Sequence, residues 1–220
     1  MLTEADTFQW VIEAAPPGQL RRGLATWQAY DAASRVDLTA SALLLGESWL
    51  VIDPIPLAPA AFERLLQEMA PAQAVGVVLT SANHERSARW WAGRLSVPLH
   101  AHPEAAPAME GTIDMPCLPG QPLFAALEVV PLPGAAPGEI ALYDGAMGGL
   151  WIIGDALIHL EATGLCFLPD RYCSDPGLLR QSARALLERP FRTVAFAHGP
   201  ALTADAFQSL SALIPGEKTP

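Results

Sequence analysis

The sequence predicts one α/β domain in which helices cover two inner sheets, and three observations carry that expectation. Short apolar runs alternate with amphipathic stretches in the order β–α–β–α–β, which calls for parallel or mixed pairing with helices packed on the sheet. A second strand-rich stretch with its own helices follows in the other half of the chain. The 21 prolines and 17 glycines are spread along the chain rather than pooled in a linker, so they punctuate short elements of one compact unit. A single domain spanning residues 1–220 is therefore expected, with no fixed-period repeat.

In the first half, Ala42–Leu45 and Trp49–Ile52 flank Gly46-Glu47-Ser48 and read as a hairpin ended by Asp53-Pro54. Ala60–Met69 carries Phe62, Leu65, Leu66 and Met69 at helical spacing. Ala74–Thr80 is nearly continuous apolar sequence, as in a strand covered on both faces. Glu85–Leu95 reads as a helix and Val97–Ala101 as another buried strand.

In the second half, Leu127–Leu132 reads as a strand followed by a Pro133–Gly138 loop. Ile140–Tyr143 and Leu150–Ile153 form a hairpin across Asp144-Gly145. Asp175-Pro176 starts a helix running to about Glu188, with a carboxylate N-cap and proline in the first turn. Phe191–Phe196 is the last strand and Ala204–Leu213 the last helix.

Composition removes several function classes. The formal charge of −10 repels phosphate backbones and anionic lipids, so neither nucleic acid nor a membrane surface is an expected partner. No apolar run has membrane-spanning length, and Met1–Asp6 lacks the basic start and apolar stretch of a signal peptide, which predicts a soluble, cytoplasmic protein. Cys117, Cys166 and Cys173 match no zinc or redox spacing and read as buried reduced thiols. There is no G-x-S-x-G elbow, P-loop or G-x-G-x-x-G. His100-x-His102 would place two imidazoles on one side of a strand, but Pro103 breaks the strand at once, and two surface histidines are expected instead. His159 is a further cleft candidate. In Trp90-Trp91, side chains about 100° apart on a helix place one ring in the core and the other at a surface, where it would favour a homodimer.

Four segments lie just past strand ends, where such sheets gather functional groups. They are Leu79–Arg86, Leu132–Glu139, Ile153–Leu157 and Ala197–Pro200. In order and spacing they resemble the metallo-β-lactamase superfamily, whose members carry T-H-x-H-x-D-H, then P-G-H-T-P-G-S, then G-D-A-L, then a late G-H-G. The resemblance covers about Leu43 to Ala206 and includes Leu50–Asp53, similar to the family's early strand ending in aspartate. It implies an αββα four-layer sandwich with two mixed sheets inside and helices outside.

The resemblance also implies a two-metal hydrolase site, and there the residues depart from the pattern. The family's first two motif histidines fall on Ser81 and Asn83, its aspartate on Glu85, its last motif histidine on Arg86, and the histidine of P-G-H on Ala135. Asp155 and His198 are kept, and His84 falls on a non-ligand position. Hydroxyl, amide and methyl groups are poor or null zinc ligands, and a guanidinium has no lone pair to give. The expectation is a dismantled dinuclear site that takes no cofactor, in a non-catalytic protein that binds a small molecule or a protein. Arg86 is expected to stand in for the metal and pair with Asp155 and Glu85. The alternative is a hydrolase with one iron, manganese or zinc ion on Glu85, Asp155 and His198. A third reading is metal-free hydrolysis with His198 as base, Asp155 orienting it and Ser81 as nucleophile.

Overall fold

A computed structural model describes residues 3–13 and 21–214. The sequence expectations for Met1 and Leu2 and for the outermost residues of the 1–220 span lie outside the described residues.

Seven strands build the first sheet: β1 (Gln9–Ile12), β2 (Arg22–Asp31), β3 (Val36–Leu45), β4 (Ser48–Ile52), β5 (Gln73–Val78), β6 (Leu99–Ala101) and β7 (Met115–Pro116), in that spatial order. Antiparallel pairing runs from β1 to β4 and parallel pairing from β4 to β7. The helix α1 (Pro59–Met69) makes the crossover between β4 and β5, and α2 (Ala88–Leu95) the one between β5 and β6. The second sheet orders β13-β10-β9-β8, from β8 (Glu128–Pro131), β9 (Ile140–Asp144), β10 (Leu150–Ile153) and β13 (Thr193–Phe196). A small hairpin pairs β11 (Leu157–Leu160) with β12 (Gly164–Phe167), and α3 (Pro176–Ser182) and α4 (Ala206–Leu213) complete the chain.

Strand periodicity explains the layering. Along β4, Trp49 and Val51 face the α1/α2 layer with Phe62, Leu65 and Trp91, while Leu50 and Ile52 face the second sheet. Between the sheets Leu43, Leu50 and Ile52 share a core with Val129, Ile140, Leu142 and Ile152. The far side of the second sheet packs Trp151, Ile153 and Phe196 against Leu179 of α3 and Leu210 of α4. Three apolar interfaces between four layers give the αββα sandwich.

The hairpins and α1 form where the apolar pattern places them. Asp175 caps α3 by accepting from Leu178 N at 2.9 Å, and the helix tightens to a 3-10 turn over Ala183–Glu188. Trp91 is fully buried against Trp27, whose indole N–H, like that of Trp91, donates to the Ile55 carbonyl, while Trp90 is half-exposed.

Other expectations need correction. The stretch Glu85–Leu95 is not one helix: Ala82–His84 is a 3-10 turn, Arg86 has φ of 33°, and α2 starts only at Ala88. His100 is buried inside the sandwich against Phe124 with neither ring nitrogen hydrogen-bonded, so it is no surface histidine, and His102 serves the next turn by accepting from Glu104 N. Among the cysteines only Cys117 is buried; Cys166 and Cys173 are half-buried, and all three are free. The ten-residue β2 went unread because Ala25, Trp27 and Ala29 alternate with the polar Thr26 and Gln28, a pattern weaker than the apolar runs around it.

Candidate functional site

The site forms where the strands of both sheets end. Asp53 follows β4, Thr80 to Arg86 follow β5, Glu139 precedes β9, Asp155 follows β10 and His198 follows β13. Two hydrogen bonds lock the sheets together at this edge, Ile140 N to Thr80 O at 2.9 Å and Thr39 N to Ala197 O at 2.8 Å. Gly199 turns the chain with φ of 92° beside the His159 carbonyl, and any Cβ there would overlap that oxygen. This close approach fixes His198, since glycine alone accepts both the conformation and the contact.

At the centre lies His84. Its Nε2 is 3.0 Å from Asp155 Oδ1 and its Nδ1 is 3.1 Å from Asp53 Oδ2, with all three side chains buried. Asp53 also accepts from Thr80, through the backbone N–H at 2.8 Å and the hydroxyl at 2.5 Å. Burial alone would strip the proton from His84, but carboxylates on both ring nitrogens reverse that effect and raise its pKa to about 9. His84 is thus an imidazolium at neutral pH. The same pairing outweighs burial on the acids, holding Asp53 below and Asp155 well below the usual carboxylate range.

Asp155 is saturated with partners. Oδ1 also lies 3.1 Å from His198 Nε2, while Oδ2 accepts from Asn83 Nδ2 at 2.9 Å and Ser81 Oγ at 3.4 Å. His198 is held from behind, its Nδ1 3.1 Å from the Asp37 carbonyl. Ser81, Asn83, Asp155 and His198 therefore converge, whereas Glu85 does not join them. Its carboxylate turns outward to accept from Glu110 N, Gly111 N and Arg89. Arg86 approaches the site without an ion pair to Asp155 or Glu85. Its guanidinium makes long contacts to the Thr39 and Asp53 carbonyls, each 3.4 Å, and to His198 Nε2 at 3.5 Å. The positive φ at Arg86 sends the side chains of Glu85 and Arg86 apart.

Glu139 adds a group that motif reading passed over. It is 2% exposed, accepts from Ala156 N through Oε1, and has no hydrogen-bond partner for Oε2. Burial first, and the nearby Asp155 charge second, push its pKa well above the ordinary value and favour the protonated acid. Ala135 is buried in the core on the other side of the second sheet. The His159 side chain faces away from the cleft, its Nδ1 2.8 Å from Pro200 O and its ring on Phe196, while its backbone N–H donates to the His198 carbonyl at 3.0 Å.

A cleft of about 660 Å³ opens above Asp155, His84 and His198, with Asn83 and Arg86 in its floor. Of the described His, Cys, Asp and Glu residues, His84, Asp155 and His198 form the one group able to offer a metal three atoms within 4.8 Å of one another.

The metallo-β-lactamase superfamily model matches residues 19–213. The chain belongs to that superfamily. Solved structures with this superfamily fold align over nearly the whole chain. The DIM-1 metallo-β-lactamase exposed to ceftazidime shares 14% identity, covering 96% of this chain and 98% of that one, with a TM-score of 0.70. The metallo-β-lactamase from Pontibacter korlensis shares 16% identity over 94% and 99%, with a TM-score of 0.65. A di-iron-bound form of TTHA1623 shares 23% identity over 92% and 98%, with a TM-score of 0.58. Identities this low establish the superfamily fold and no more. No curated protein matches the sequence. Among the described residues no helix is long and apolar enough to cross a membrane.

Proposed function

We propose that this is a superfamily member whose dinuclear metal site is dismantled and whose cleft binds a ligand without hydrolysing it. The observation that carries this reading is the seat of His84. Its imidazolium lies between Asp53 and Asp155 and supplies positive charge to carboxylates that would otherwise be buried unpaired. The cation in direct contact with both carboxylates is therefore His84 rather than the expected Arg86, which lies beside His198 without an ion pair to Asp155.

The donor set does not fit two metals. At the positions of the first metal's three histidines stand Ser81 and Asn83, both donating to Asp155, and Ala135, which has no donor atom. At the second, Glu85 faces away and Arg86 offers only protons.

A second reading, a hydrolase with one metal, is favoured by the convergence of His84, Asp155 and His198. Glu85 drops out of it and His84 replaces it. The metal would first displace the His84 proton, which with a pKa of about 9 costs about 3 kcal/mol at pH 7. The always-protonated Arg86 guanidinium, which reaches His198 Nε2 at 3.5 Å, would also repel a cation held there. Both effects oppose metal binding at these three residues. The metal-free reading is preferred on that balance.

The test is a hydrolase screen with esters, thioesters and phosphodiesters. The expected result is no turnover above that of an Asp155→Ala control. Hydrolysis that Asp155→Ala abolishes would overturn the proposal.

A further inference from the structure

Resting on that metal-free reading, we infer that the cleft is a binding site for a small carboxylate with an aliphatic tail. The argument begins with the arginines. In this acidic protein Arg22, Arg64, Arg89, Arg94, Arg180 and Arg189 all pair with carboxylates. Arg21, Arg35, Arg86, Arg171 and Arg192 have no carboxylate within ion-pair distance among the described residues. Arg21 spends its guanidinium on the carbonyls that end α1, and three of the other four, Arg35, Arg86 and Arg171, line this one cleft.

The anionic groups of the cleft are already engaged. Asp31 accepts from the Ser34 hydroxyl at 2.6 Å and from the backbone N–H groups of Ala33 and Ser34. Asp155 has the four partners described above. The unfilled capacity is therefore cationic. Arg86 holds five N–H donors, and its three contacts are all 3.4 Å or longer, so its planar fork can take a bidentate anion. The exposed Arg35 and Arg171 stand at the rim.

Two features narrow the ligand. Asp155 lines the same cleft as Arg86, and its carboxylate repels a dianionic phosphate more than a monoanion. Leu38, Ile158, Leu160 and Leu168 line the wall, offering apolar surface to an alkyl tail. The cleft volume lies in the range of small-molecule sites.

The test is calorimetric titration of the full chain with octanoate. Saturable binding is expected, with octanol and inorganic phosphate each weaker by at least about tenfold. Arg86→Gln should weaken octanoate at least about tenfold, with partial recovery in Arg86→Lys. The double variant Arg35→Gln/Arg171→Gln changes only exposed groups, so it stays folded, and it should weaken octanoate severalfold. Absence of saturable binding, equal binding of octanol or phosphate, or an unchanged affinity in the rim variant overturns the inference. Binding should persist in EDTA. Binding that the chelator abolishes would instead sink the metal-free reading while leaving the cleft a carboxylate site.

Discussion

His84 Nε2 lies 3.0 Å from Asp155 Oδ1 while its Nδ1 lies 3.1 Å from Asp53 Oδ2, so one ring ties the end of β4 to the end of β10. The two sheets of the sandwich thus meet through a buried acid–imidazolium–acid bridge, and its energetics should be visible in stability.

Stability should fall on the alkaline side. The His84 pKa is raised from 6.5 to about 9, so its contribution is fully present below pH 6.5 and is lost as pH rises through about 9. The full effect is on the order of 3 kcal/mol. Asp53 and Asp155 are lowered, so their contributions are lost only in acid, as pH falls below the ordinary carboxylate range. In the Glu139→Gln variant, which removes that residue's own loss of stability above its ordinary pKa, thermal melts from pH 5 to pH 10 should show a plateau and then a decline above pH 7. An unchanged midpoint across the alkaline half would contradict the bridge.

Removing the ring should cost more than titrating it. His84→Ala leaves two carboxylates buried without their shared cation, and one-sided loss of a buried pair costs about 3–5 kcal/mol. Urea melts measure this. A loss under about 1 kcal/mol would place His84 outside the bridge.

Glu139 should behave in the opposite way. Its pKa is raised in the fold, so as pH rises above the ordinary carboxylate value the unfolded chain ionises first and the residue costs stability. Glu139→Gln keeps an acceptor for Ala156 N and removes that cost. The expected melting midpoint at pH 7 equals or exceeds that of the parent. A clear drop would mean that the carboxyl is ionised.

Gly199→Ala should be severe although it adds one methyl group. The residue has φ of 92° and its Cβ would overlap the His159 carbonyl, so the loop must move and carry His198 with it. A loss of about 2 kcal/mol or more is expected in chemical denaturation. A neutral result would show that this contact does not hold the loop.

Much of the fold was legible because apolar runs and turn residues agree locally, as in the β3–β4 hairpin and α1. The convergence of Ser81, Asn83, Asp155 and His198 followed from motif order, since each sits in a loop that follows a strand end. His84 was missed because motif alignment gives it a non-ligand position. The available signal was Asp53: a carboxylate at the end of a buried strand needs a cation, and a histidine in the next strand-end loop can supply one. The direction of Glu85 depends on the backbone N–H groups of Glu110 and Gly111, distant in sequence, which no helical or strand periodicity encodes. Glu139 lay in a Pro/Gly loop, and only the packing around Gly154, where a Cβ would meet Glu139 and Thr80, shows that its carboxyl turns inward.

The central claim, that a protonated His84 rather than a metal ion neutralises the buried carboxylates, is tested most directly by elemental analysis. The tag-free protein would be purified after growth with iron, manganese and zinc supplied. Metal far below one equivalent per chain is the predicted result. Near-stoichiometric metal that Asp155→Ala or His198→Ala removes would contradict it and make the one-metal hydrolase the leading reading.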